Sequence, residues 1–148
     1  MTQRLLLILG LVTACAPTPP TTVATPRVGT TVQASFGRTW NAVIDQFADR
    51  NIPIRTIDRS SGLIATDMLG MGVGDSLAST WADCGADMVG SQLPPGHATY
   101  NVLVRGDSTS TLVKVTVRWN LLLGGECVTH GVWEQDFENA VKAKAEKP

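Results

Sequence analysis

The chain has 148 residues, which is one domain's worth. With 43% hydrophobic and 17% charged residues it has the composition of a packed globular domain rather than of a disordered chain. A formal net charge of −1 and the lack of a basic stripe remove the electrostatic footprint that nucleic-acid binding requires.

The first segment carries Arg4, an apolar run from Leu5 to Val12, then Thr13, Ala14 and Cys15. A positive start, a short apolar stretch and small residues are the parts of a secretory signal. The run is too short to cross a bilayer, which takes roughly 20 apolar residues. An aliphatic residue, two small residues and a cysteine occur in that order at Val12–Cys15, which resembles the lipobox of bacterial lipoproteins. The resemblance implies that residues 1–14 are a signal peptide and that Cys15 becomes the acylated first residue of the mature chain. Ala16 is not the aspartate that keeps some such lipoproteins at the inner membrane. The implied place is therefore the outer membrane, facing the periplasm, with the inner membrane as the alternative. Attachment is expected through lipid on Cys15 alone, at roughly 0.8 kcal/mol per buried methylene.

Residues 15–34 read as a tether, because Pro17, Pro19, Pro20 and Pro26 lie among threonines and small residues. The folded domain is expected over 35–148. Phe36, Trp40, Val43, Ile44 and Phe47 repeat on one helical face. Ser35 is the expected N-cap, Asn51 the left-handed residue past the end, and Pro53 the stop. Arg38, Asp45 and Asp49 occupy the opposite face.

Strands are predicted from about Pro53 to Asp58 and from Leu63 to Asp67, joined by a turn over Arg59, Ser60, Ser61 and Gly62. Two later runs alternate. Tyr100, Val102 and Val104 oppose Asn101, Leu103 and Arg105. Val113, Val115, Val117 and Trp119 oppose Leu112, Lys114, Thr116 and Arg118. Residues 106–110 form the hairpin loop between them. A last helix is predicted from about Val132 to Ala145, with Trp133, Phe137, Ala140 and Val141 as its apolar stripe. Acidic residues come early in it and lysines late, as the helix dipole favours, and Glu138 and Lys142 are spaced as an i, i+4 pair. These elements predict an α+β fold, an antiparallel four-stranded sheet packed by an N-terminal and a C-terminal helix.

The stretch from Phe36 to Ala65 is similar to the BamC (NlpB) type of outer-membrane lipoprotein domain. The resembling residues are Trp40, Ile54, Asp58, Gly62 and Ile64. The resemblance implies a helix-grip fold, a twisted antiparallel sheet grasping a helix, and an envelope location. Two such domains would not fit in this length, and the family pattern does not supply the cysteine pair.

Several constellations bear on chemistry. Gly70, Gly72 and Gly74 are spaced neither as a dinucleotide fingerprint nor as a P-loop. The apolar residues around them, Met68, Leu69, Met71 and Val73, together with Trp81, are a candidate partner surface in a glycine-rich insertion over 68–97. Cys84 and Cys127 form an even pair in an exported chain, which predicts a disulfide. With His97 and His130 the same cysteines would make a Cys₂His₂ zinc site, the competing reading. His97, after Pro94, Pro95 and Gly96, is expected in an exposed loop. Ser60, Ser61 and Ser76 lack a nucleophile elbow. Asp83 and Asp87 read as turn and helix residues rather than as a catalytic pair.

The expected function is that of a non-enzymatic, lipid-anchored component binding another envelope protein, with no cofactor. The alternative is a module holding an apolar small molecule or lipid between sheet and helix. Trp40, Phe47, Trp119, Trp133 and Phe137 are enough to fill so small a core, which favours the protein partner.

Overall fold

The computed structural model describes residues 20–71, 78–85, 96–122 and 125–147. In chain order its elements are β1 (Thr30–Val32), α1 (Phe36–Asp49), β2 (Ile54–Asp58), β3 (Leu63–Thr66), β4 (Leu69–Met71), α2 (Ala78–Trp81), β5 (Ala82–Asp83), β6 (Gly96–Gly106), β7 (Thr111–Leu121), β8 (Glu126–Thr129) and α3 (Val132–Ala145).

The centre is the hairpin of β6 and β7, paired along its whole length from Gly96↔Leu121 to Gly106↔Thr111. Each of these long strands has an outer edge shared by two short ones. β3 and β4 pair with successive parts of β6, and β1 and β8 with opposite ends of β7. β2 extends the sheet beyond β3, and β5 extends it beyond β8. The fold is thus α+β, as expected, but its antiparallel sheet has eight strands among the described residues rather than four. The four missed strands span only two to four residues each, too short to show a period-2 pattern.

Alternation on β6 and β7 sets the layers. Tyr100, Val102, Val104, Val113, Val115, Val117 and Trp119 are buried, and the residues between them are half-buried or exposed. The two long helices cover the buried face. Ser35 caps α1 by accepting from the Arg38 N–H, and Asn51 leaves the helix at φ 54°. Trp40, Val43 and Phe47 face inward from α1, and Trp133, Phe137 and Val141 from α3. The helices meet at Phe47 and Phe137, whose ring centroids are 4.9 Å apart. Exposed ion pairs bridge them: Lys144 to Asp45 and Asp49, and Arg50 to Asp136. An aromatic chain then runs from Phe137 through Trp133, Tyr100 and Trp119 to Trp81.

The described part of the expected tether, residues 20–34, is packed on the folded domain. Val32 is fully buried, and Thr30–Val32 pairs with Thr111–Val113. Gly29 lets the chain leave that edge: its φ is +100°, and a Cβ there would sit 2.6 Å from the Val113 carbonyl oxygen. Further out, Arg27 and the pair Thr21–Thr22 are held by hydrogen bonds to α3 and β5. The proline and threonine content of the arm suits an extended segment laid on the protein as well as one in solvent.

Candidate functional site

The residues singled out by chemistry gather where the N-terminal arm, β5, β8 and the start of α3 meet. β5 and β8 pair in the register Ala82↔Thr129 and Asp83↔Val128, so the next position places Cys84 opposite Cys127. The two are joined as a disulfide, with Cα atoms 4.1 Å apart. The bridge overturns the zinc alternative. Both thiols are consumed, His97 lies within β6 opposite Asn120, and the Nδ1 of His130 is 3.1 Å from the Thr80 carbonyl oxygen. Among the described residues no cluster of three or more metal-ligating side chains occurs. His97 is a half-buried strand residue rather than a loop residue, because β6 begins at Gly96, directly after the prolines.

Asp83 is the anchor for the arm. Its Oδ2 accepts from the N–H groups of Thr21 and Thr22 at 3.0 and 2.9 Å and from both hydroxyls at 3.2 and 2.7 Å. The Thr22 hydroxyl, followed by the Gly85 and Thr22 N–H groups, holds this carboxyl far below the ordinary range. Asp83 is therefore the acceptor that ties the arm to β5.

Two glutamates of α3 are buried on the sheet side. Glu138 is fully buried, and each of its oxygens is satisfied. Oε1 accepts from the Val115 N–H at 2.9 Å, and Oε2 accepts from Arg27 Nη2 and the Thr30 hydroxyl, both at 2.8 Å. The carboxylate continues the work of β1, capping the edge of β7 just past the point where Gly29 turns the arm away. The expected Glu138–Lys142 pair does not form. Glu138 turns inward to Arg27, and Lys142 pairs with Glu146 at 3.1 Å instead. Glu134, also buried, accepts from the Thr129 hydroxyl at 2.8 Å. Its Oε2, Arg27 Nε and Trp119 Nε1 are buried without a hydrogen-bond partner among the described residues. Tyr100 is pushed up to about 12, first by burial and then by Glu134, with Arg50 opposing.

The candidate partner surface divides. Met68 is 66% exposed, and Leu69 is half-buried on β4. Met71 closes β4, and Val73 lies outside the described residues. Trp81 is half-buried and stacks on Trp119 at 5.7 Å, so its ring is committed to the aromatic chain. Cys15 and Asp87 also lie outside the described residues.

Arg27, Thr30 and Glu138 went unrecognised in the sequence. A signal was present: Glu134 and Glu138 sit beside Trp133 and Phe137, inside the apolar stripe of α3, where a carboxylate needs a buried partner. A recess of about 420 Å³ opens beside this cluster, lined by Thr22, Val23, Thr25, Arg27, Thr129, His130 and Gly131. Neither histidine pairs with a carboxylate among the described residues. The arrangement is one of acceptors and clamps. No known family model matches this chain, and no curated protein matches it in sequence. No helix among the described residues is long and apolar enough to cross a membrane.

Proposed function

We propose that the chain is a lipid-anchored envelope lipoprotein, held by acyl chains on Cys15 at the outer membrane and facing the periplasm. There it acts as a non-enzymatic docking or assembly component for another envelope protein. The filled layer between helices and sheet carries this reading. A module for an apolar ligand needs a sizeable apolar cavity at that place. Trp40, Phe47, Tyr100, Trp119, Trp133 and Phe137 occupy it instead, and the recesses among the described residues are open to solvent. Helices packed on one face of an antiparallel sheet also agree with the helix-grip arrangement that the BamC resemblance implies.

The docking surface in this reading is the edge formed by Met68, Leu69 and Met71. β4 pairs only with β6 among the described residues, so its outer side can accept an added strand. Because the arm is clamped at Thr21, only six Cα–Cα steps separate it from Cys15. Fully extended they reach about 20 Å, so a lipid on Cys15 would keep the domain close to its membrane.

The test places a photo-crosslinking residue at Met68 in native envelopes and compares Cys15 with Cys15→Ser. The expected result is a mature chain starting at acylated Cys15 and one protein trapped at position 68, lost in the variant. A mature N-terminus elsewhere, found by mass spectrometry, overturns the anchor. An apolar molecule co-purifying with the chain, with nothing trapped at position 68, overturns docking in favour of a ligand module.

A further inference from the structure

Arg27, Arg50, Arg55, Lys142 and Lys144 each face a carboxylate. Among the described residues Arg38, Arg59, Arg105, Lys114, Arg118 and Lys147 form no ion pair. Two of these six, Arg59 and Arg105, line one recess of about 410 Å³ at the end of the sheet opposite the disulfide.

The recess follows from one glycine. Gly62 has a φ of +70°, its carbonyl accepts from the Val104 N–H at 2.8 Å, and a Cβ there would lie 2.1 Å from the Val104 carbonyl oxygen. No other residue could bring the 59–62 turn this close to β6. The register Leu63↔Leu103, continued by two positions, sets Ser61 opposite Arg105. Arg59 is oriented by packing, with its guanidinium carbon 5.8 Å from the centre of the Phe36 ring. Arg105 is exposed on β6, opposite Leu112 of β7. Asp58 and Asp107, in the two turns that flank the recess in sequence, are turned into their own loops. Asp58 accepts from the N–H groups of Ser60 and Ser61, and Asp107 from those of Thr109 and Ser110. Each carboxylate charge is thereby met by local amides, which leaves the two guanidinium forks open.

We infer that this recess is a phosphoryl-binding site, formed by the guanidinium groups of Arg59 and Arg105; the Ser60 and Ser61 hydroxyls beside it are donated to Asp58. A guanidinium matches two phosphate oxygens with parallel N–H bonds, and two such forks meet both charges of a phosphomonoester. A carboxylate has only two oxygens and one charge and would leave one fork idle. The open shape admits a phosphoryl group carried on a larger body, either a soluble ester or a lipid headgroup. This site is independent of the anchor and of the β4 edge.

The experiment uses the full chain carrying Cys15→Ser, so that retention on vesicles cannot come from its own lipid. Inorganic phosphate is titrated while the amide resonances of residues 60–62 and 104–106 are followed, with acetate at equal ionic strength for comparison. Saturable shifts with phosphate, at least tenfold weaker with acetate, are expected. Arg59→Gln or Arg105→Gln weakens phosphate binding at least tenfold, and Arg59→Lys, which keeps the charge but loses the fork, weakens it less. Arg55→Gln, on neighbouring β2, leaves it within twofold. Vesicles of phosphatidylcholine with and without phosphatidic acid then distinguish the source. Retention that needs the acidic lipid and both arginines assigns a headgroup. Phosphate binding without retention assigns a soluble ester. The absence of a saturable shift at these amides, or equal effects of Arg55→Gln and Arg59→Gln, overturns the site.

Discussion

Arg27→Ala asks whether the N-terminal arm belongs to the folded domain. Its partner Glu138 is fully buried, and the 2.8 Å ion pair between them is reinforced by hydrogen bonds from Thr30 and Val115. Without Arg27 the carboxylate remains in the interior with two neutral donors and no opposing charge. Breaking a buried pair from one side costs about 3–5 kcal/mol. The Arg27 side chain keeps 23% of its surface in water, so screening puts the expected loss near the lower bound, about 3 kcal/mol. The bonds from the same guanidinium to the Gly131 carbonyl and the Gln135 side chain are lost with it. Urea unfolding followed by tryptophan fluorescence should show an unchanged slope and a midpoint lowered by about 1–3 M, given slopes of about 1–3 kcal/mol/M for small proteins. Arg27→Met combined with Glu138→Leu should recover most of the loss, since well-packed apolar residues often replace a buried pair at no net cost. A single-variant effect below about 0.5 kcal/mol, the size usual for surface changes, would return the arm to the status of a tether.

Trp40→Ala should cost about 3–5 kcal/mol, because its fully packed indole leaves a cavity under the sheet, while Asn41→Ala on the outer side of α1 should stay within about 0.5 kcal/mol; similar small shifts in thermal unfolding would mean the helix face is assigned wrongly. The Cys84→Ser, Cys127→Ser double variant should lose about 4 kcal/mol on the chain-entropy model for a separation of 43 residues, and the unreduced protein should show no free thiol on titration. Asp58 has its pKa lowered to about 2 from 3.8, chiefly by the Ser60 and then the Ser61 hydroxyl. Because the folded value lies below the unfolded one, its contribution is complete above about pH 4 and lost as the pH falls toward 2. Amide shifts of Ser60 and Ser61 should titrate in that window, and movement centred near pH 4 would show that the turn does not hold the carboxylate.

The elements that could be read from the sequence are those whose information is local. α1 announces itself by a 3.6-residue stripe, a serine cap and Asn51 with Pro53 beyond it, and the structure places it at Phe36–Asp49. The alternation read over 100–105 and 112–119 assigned both faces correctly, and the strands run beyond it at both ends as Gly96–Gly106 and Thr111–Leu121. The cysteine pair followed from parity and expected compartment, and the β5–β8 register supplies the geometry for it. β1, β4, β5 and β8 were invisible because two to four residues carry no period; β1, β4 and β8 are received by the edges of β6 and β7, and β5 by β8.

The arm shows why composition misleads at this point. Proline and threonine in quantity exclude a core, but they do not exclude a segment that borrows one. Val32 needs a single apolar socket, and Arg27 a single buried carboxylate more than a hundred residues away. Neither requirement leaves a pattern within the arm itself. The trace lies in α3 instead, where Glu138 occupies a position that an amphipathic helix facing only a sheet would give to leucine or valine. A buried carboxylate on a helix stripe demands a cation from elsewhere in the chain, and Arg27 is the one that a segment passing along the β7 edge can deliver. The same carboxylate closes the β7 edge at Val115, between the strands that cover its two ends, so one glutamate both fastens the arm and ends the pairing. Arg27 and Thr30 are thus fixed by a residue at the far end of the sequence, and Thr21 and Thr22 by Asp83 near its middle.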